Sequence, residues 1–293
     1  MLEQDNLSTC LIDGHFHPLD MPPEAGTSEF GERQLGVAAS ASPGQWAALR
    51  SWSASSGCPY VLGVHPWNCR ELVCLPNPRE QAALWLEQLE AYLSSRRSGA
   101  LVALPVAVGE IGLDRACCPQ ETWPWQRLLF TEQYRLAQQY KLPCLIHCVK
   151  AYGMLLELLP TSSSCSGLVH AFWGSPEIAK QFLKRGFYIS LNSKFIEEVR
   201  QATCSISAFR PNSTFQLAST ADPSVISKLQ KLEKLSRVIP LERLILESDA
   251  PWGLTSNLIL QRHCQFLAPF WNTDSDEFKK ACQVNLRDLF LQN

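Results

Sequence analysis

Histidine is scarce in this 293-residue chain, six in all, and its placement carries the chemistry. His15 and His17 form an H-x-H pair after the apolar start Leu11-Ile12. Residues two apart on a strand share a face, so both imidazoles can grip one ion; taken alone, the spacing fits a surface pair at a loop entry equally well. His147 closes the run Leu145-Ile146, His170 closes Leu168-Val169, and His65 follows Gly63-Val64. His147 or His170 taken alone is more often a satisfied core side chain than a ligand. Five of the six, however, fall at or just past the end of an apolar run that reads as a strand. The sixth, His263, lies in a stretch that reads as a late helix and matches no motif.

Carboxylates accompany the imidazoles. Glu110 ends the apolar run Val106-Ala107-Val108 between Gly109 and Gly112, glycines that leave room for close approach. A buried, unpaired carboxylate costs several kcal/mol, so Glu110 needs a cation, a donor network or solvent. Glu247 and Asp249 follow Leu244-Ile245-Leu246 in one strand phase, and Asp13 shares the phase of His15, placed either to orient an imidazole or to start the strand. Four imidazoles and two or three carboxylates at one rim suit one or two divalent ions. Mixed nitrogen and oxygen ligands fit zinc, manganese or iron, and a carboxylate bridge also fits magnesium. The reaction class is metal-assisted hydrolysis.

Such a cluster needs elements that aim it. Hydrophobic period and turn residues predict eight strands: Cys10 to His15, Leu35 to Ser40, Pro59 to His65, Leu104 to Ile111, Leu142 to His147, Gly167 to Phe172, Phe187 to Asn192, and Arg243 to Asp249. Between them Thr122 to Tyr140 reads as a helix with Trp125, Leu128, Leu129, Leu136, Ala137 and Tyr140 on its apolar stripe. Ser175-Pro176 caps a second helix ending before Gly186, and Pro223-Ser224 opens a third, with Ile226, Leu229, Leu232 and Leu235 at intervals of three. Thr161 to Ser166 and about Ala202 to Asp222 read as surface loops. Alternating strands and helices predict an α/β fold, a (β/α)8 TIM barrel, with an open doubly wound sheet as the alternative. No linker or internal repeat divides it, so residues 1–293 read as a single barrel domain. A parallel barrel carries its active site at the C-terminal ends of its strands, where the histidines fall.

Composition narrows the function classes. Hydrophobic residues make up 46% and charged residues 18%, which excludes global disorder. With 26 basic against 28 acidic residues the formal net charge is −2, so any phosphate recognition is local rather than a basic coat. The twelve cysteines form no C-x-x-C pair and read as reduced thiols. No secretory signal and no membrane-spanning run are evident, which predicts a cytoplasmic protein, or a nuclear one if eukaryotic, with no membrane association and no obligate protein partner.

The ordered motifs resemble those of the TatD family of metal-dependent deoxyribonucleases, in the amidohydrolase superfamily of barrels. The resemblance runs through Ile12-Asp13-Gly14-His15-Phe16-His17, Gly63-Val64-His65-Pro66-Trp67, Gly109-Glu110-Ile111-Gly112-Leu113-Asp114, Leu142 to His147, His170-Ala171-Phe172-Trp173-Gly174, Leu246-Glu247-Ser248-Asp249-Ala250-Pro251 and Asn285 to Phe290. It implies that His15, His17 and Asp249 hold one ion, that Glu110 bridges two, and that His147 and His170 hold the second. It further implies Asp249 as the base that deprotonates water and His65 beside the scissile phosphate. The ions would be magnesium, manganese or zinc and the substrate DNA, trimmed from its 3′ end. The arginine usual in the family two residues after His147 is Val149 here, followed by Lys150; Pro18 replaces a leucine, and the segment between Asp249 and Asn285 is short. Lys150, Arg115 and Lys194 are candidate phosphate contacts, and Trp67, Phe172 and Trp173 candidate stacking rings. Two other readings use the same residues: a small-molecule metallohydrolase acting on an amide, lactone or phosphoester, and a barrel without chemistry serving as a scaffold.

Overall fold

Short apolar runs become parallel strands here because both of their faces are covered, by helices outside the ring and by one another within it. The structure is a computed structural model that describes residues 12–21, 35–95, 104–161, 165–204, 222–252 and 257–291. Strand β1 (Ile12–Phe16) pairs with β2 (Leu35–Ala38). The strands β3 (Val61–Leu62), β4 (Ala107–Asp114), β5 (Cys144–Val149), β6 (Gly167–Phe172), β7 (Tyr188–Leu191) and β8 (Leu244–Ile245) form a parallel sheet in chain order. Parallel bridges Ala38 to Tyr60 and Phe16 to Ala250 join the two sheets at both seams. Backbone bonds run along those seams: the Ala38 amide donates to the Pro59 carbonyl at 2.9 Å, Gly14 to Leu246 at 2.8 Å, and His17 to Ala250 at 2.7 Å. The eight strands thus close into the expected (β/α)8 ring.

The helices are α1 (Trp46–Ser56), α2 (Cys69–Leu72), α3 (Pro78–Ser94), α4 (Trp123–Tyr140), α5 (Tyr152–Leu158), α6 (Pro176–Lys184), α7 (Ser193–Cys204), α8 (Pro223–Ser236), α9 (Asn257–Leu267) and α10 (Ser275–Phe290). Ser175 caps α6 by accepting from the Ile178 amide, and Asp222 caps α8 through the Ser224 amide. On α8 the expected Leu229, Leu232 and Leu235 are buried. On α4 the buried stripe differs from expectation: Leu128 is exposed, while Gln126 and Gln133 are buried. Those two glutamines act as stand-ins for strand neighbours. Gln133 accepts from the Val64 amide at 2.5 Å and donates to its carbonyl, and Gln126 does the same for Asp114. That is why β3 stops at Leu62 rather than His65. Ala202 to Cys204, expected in a loop, belong to α7; residues 205–221, the rest of that expected loop, lie outside the described residues, as do Cys10, Leu11 and 162–164.

Two side-chain layers alternate along the strands. Val61, Leu145, Leu168 and Ile245 pack in a cluster within the ring, with Leu286, Leu289 and Phe290 of α10. Leu62, Ile146, Val169 and Leu244 face the helices in the larger cluster. The inner residues lie two or four positions before His65, His147, His170, Glu247 and Asp249, so one phase carries core at the base and polar groups at the rim. The cysteines among the described residues form no disulfide, and no described helix is long and apolar enough to cross a membrane.

Candidate metal centre

Glu110 sits at the middle of the rim. Its neighbour Ala107 belongs to the inner layer, which by simple alternation would send residue 110 outward. The β4–β5 ladder slips between Val108 and Ile111, and the carboxylate turns inward. Close approach makes this feasible: a Cβ on Gly109 would lie 2.5 Å from that of Leu145, and one on Gly112, where φ is +152°, would lie 1.8 Å from the His147 carbonyl oxygen.

Around it the imidazoles converge. His15 Nε2 lies against Glu110 Oε1; His170 Nε2 is 3.2 Å and His17 Nε2 3.7 Å from the same oxygen. His65 Nε2 stands 3.2 Å from Glu110 Oε2. Asp249 Oδ1 is 3.7 Å from His15 Nε2 and 3.9 Å from His17 Nε2. His147 Nδ1 is 3.1 Å from His170 Nε2. Two ligand-like groups result, His15, His17, Glu110 and Asp249 in one and His65, Glu110 and His147 in the other, with Glu110 common to both. His170 lies between them, against Glu110 and His147. His65, expected beside a phosphate, is thus also close enough to the shared carboxylate to join a ligand group.

The chemistry of the donor set fits divalent cations. His15 Nε2 and Glu110 Oε1 lie against each other, shut off from solvent and without a well-formed hydrogen bond, an arrangement whose cost a cation between such atoms removes. Burial pushes Glu110 up, but the charges of His15, His170 and His17 outweigh it and hold the carboxyl well below the usual range. Burial, and then the charge of His147, push His65 well below the usual imidazole value. His17 and His170 are raised instead, His170 to about 10, because burial is outweighed by the charge of Glu110 with the neighbouring carboxylates, so of these groups Glu110 and His65 stand in the protonation states a metal ligand requires.

Supporting carboxylates hold the strands and rings. Asp13 does not touch an imidazole; its Oδ1 accepts from the amides of His15 at 3.1 Å and Ser248 at 2.9 Å, and its Oδ2 from the Ser248 hydroxyl at 2.5 Å. It pins β1 to the end of β8. Glu247 accepts from the Ala171 amide at 2.6 Å and lies 3.6 Å from His170 Nδ1. Asp114, which the sequence offers only as the end of a motif, accepts from the Trp67 indole at 2.8 Å and lies 3.3 Å from His147 Nε2. Burial raises its pKa, but the hydrogen bonds from His147, the Cys117 amide and Trp67 outweigh this and hold it below the usual range.

A cleft of about 130 Å³ opens over the cluster, lined by His17, His65, Trp67, Glu110, His147, His170 and Asp249, with Ala41 and Trp252. Trp252 was not singled out in the sequence; its only signal is its place three residues after Asp249. Lys150 is exposed one residue beyond β5 and is not among the described residues lining the cleft. Phe172 is fully buried against Tyr152 and Phe182, which removes it as a stacking ring. Trp173 packs on Phe195 and Lys231. Arg115 lies over the Trp123 ring at 4.1 Å.

A closed parallel barrel with imidazoles and carboxylates gathered at the strand ends defines the class: barrels equipped to hold divalent cations at that rim. The model of the family described as TatD related DNase matches residues 12–291, and the chain belongs to that family. A relative from Cronobacter sakazakii named 3′-5′ ssDNA/RNA exonuclease TatD is 30% identical over 220 residues, covering 73% of this chain and 65% of its own length. The Deoxyribonuclease Tat-D of Schizosaccharomyces pombe is 27% identical over 237 residues, covering 78% and 62% respectively. The crystal structure of a TatD homolog from Escherichia coli K12 shares the fold, with a TM-score of 0.67 at 24% identity over 96% of this chain and 97% of that one. The chain spans just under two thirds of the length of the curated relatives it matches.

Proposed function

We propose that the protein is a divalent-metal-dependent hydrolase of phosphodiester bonds, a deoxyribonuclease that removes nucleotides from the 3′ end of DNA. The observation that carries this reading is one buried carboxylate, Glu110, that belongs to both candidate ligand groups. The names of the relatives point to the same activity, and the formal net charge of −2 suits an exonuclease that contacts few phosphates at a time.

In this reading His15, His17, Glu110 and Asp249 hold one ion, and Glu110, His147 and His170, with His65 alongside, hold a second. Bound there, such ions supply Lewis acidity toward a phosphoryl oxygen and lower the pKa of water. Asp249, whose side chain is 21% exposed at the cleft, is the carboxylate placed to take the proton from the attacking water. His65 lies on the cleft wall with Nε2 toward Glu110 and Nδ1 accepting from the Trp67 amide, so it borders the position of the scissile phosphate in this reading; Lys150 remains a candidate for a flanking phosphate. Asp114 and Glu247 keep the rings of His147 and His170 turned to the cleft.

The test is metal analysis of the purified protein together with an assay on DNA labelled at either end, with EDTA as control. One or two tightly held ions per chain and metal-dependent loss of mononucleotides from the 3′ end are expected. Metal-replete protein that leaves DNA intact but hydrolyses small esters or amides would replace this reading with that of a small-molecule hydrolase.

A further inference from the structure

Trp252 is 53% exposed, an unusual state for the largest apolar side chain, and it lies on the wall of the cleft rather than on the outer surface. Its partner there is Trp67, with ring centroids 5.8 Å apart and planes at 88°. Perpendicular rings do not stack on each other, so much of Trp252 stays open to a third ring. Trp67, in contrast, is fixed. Its indole donates to Asp114 at 2.8 Å, and its ring lies edge-on to that of His65 at 4.7 Å.

Size decides what those rings meet. At about 130 Å³ the cleft is well below the roughly 300–1,000 Å³ of pockets that swallow whole small ligands. It has room for the phosphodiester over Glu110 and Asp249, and the base attached to that phosphodiester must lie outside, at the mouth where Trp252 stands. Resting on the nuclease reading, we propose that Trp252, with Trp67 as its fixed wall, forms a stacking subsite for the terminal nucleobase of a single strand. A base held on an indole face has left its neighbours in the stack, and every base has such a face, so the subsite accepts all four bases.

The test compares two oligonucleotides identical except that the 3′-terminal nucleotide of one lacks its base. Wild-type protein is expected to favour the intact end by roughly 10-fold in kcat/KM, within the range measured for base–aromatic stacking. Trp252→Ala should bring that ratio close to one, and Trp252→Phe should keep most of it. Binding gives a second readout, independent of turnover. Deoxyadenosine monophosphate should quench the tryptophan fluorescence of the wild type more than that of Trp252→Ala, whereas deoxyribose 5-phosphate should quench neither. An unchanged ratio in Trp252→Ala overturns the subsite, as does equal quenching of the two proteins by the nucleotide. Should wild-type protein release no nucleotide at all, the nuclease reading fails on its own, and the fluorescence titration still decides the subsite.

Discussion

Asp249 and Glu110 are both carboxylates at the rim, yet their substitutions should fail differently. An amide keeps the shape and one ligating oxygen but accepts no proton from water at neutral pH. Metal-replete Asp249→Asn is therefore expected to lose roughly 10²-fold or more in kcat on end-labelled DNA while holding its ions. Wild-type turnover in that variant would remove Asp249 as the base. Glu110→Gln should instead lower the bound metal measured by elemental analysis, because one neutral amide would replace the charge shared by both ligand groups. The clustering of these side chains was legible because strand phase carries His15, His17, His147, His170 and Asp249 inward from apolar neighbours at fixed spacing. Asp114 was not, since its role exists only through Trp67 and His147, 47 and 33 positions away. Trp252 was hidden for a different reason: a lone aromatic after a proline has no period that betrays its direction.

The strands themselves set how well the groups are aimed. A methyl group on Gly112 would collide with the His147 carbonyl at 1.8 Å, on backbone that side chains rarely adopt. Gly112→Ala should therefore push β4 away from β5, costing at least about 2 kcal/mol and lowering metal occupancy, read by thermal melting and elemental analysis. An unshifted melting temperature with full occupancy would mean that the β4–β5 contact yields without cost. Farther out, His263 of α9 is fully buried, with Nε2 3.2 Å from Glu197 Oε2 on α7, and Glu197 is also held by Arg200. Burial outweighs the attraction of Glu197 and lowers the imidazole pKa from 6.5 to about 4. Below pH 6.5 the unfolded chain takes up a proton that the folded chain refuses, so stability present above 6.5 is lost as pH falls toward 4, by up to about 3 kcal/mol. His263→Gln should flatten denaturant-derived stability across that window while leaving metal content and turnover near wild type. The eight strands could be read from period and punctuation, but their ends could not. Gln133 replaces a strand neighbour beyond β3 and the Asp13 carboxylate replaces one beyond β8, and a buried polar side chain that finishes a ladder looks, in sequence, like any helix or motif residue.

The assembled barrel should be sensitive to its ions. Cations that bind the folded rim and not the unfolded chain stabilise by mass action, about 2.7 kcal/mol at a hundredfold excess over Kd. Manganese or zinc added to EDTA-stripped protein should raise the melting temperature by roughly 5 °C or more in scanning calorimetry. An unchanged melting curve across a metal titration would contradict a centre built from buried ligands. The β8–β1 seam is also tied by Asp13 and Ser248, 235 positions apart, and that separation governs when the rim can be complete. A nascent chain emerges from the ribosome with its first two imidazoles long before Asp249 has been translated. Until β8 reaches β1 the seam stays open and the first ligand group lacks one of its carboxylates. An unfinished polypeptide therefore carries an incomplete ligand group, and the rim is completed only with the last strand, a timing written into the order of the chain.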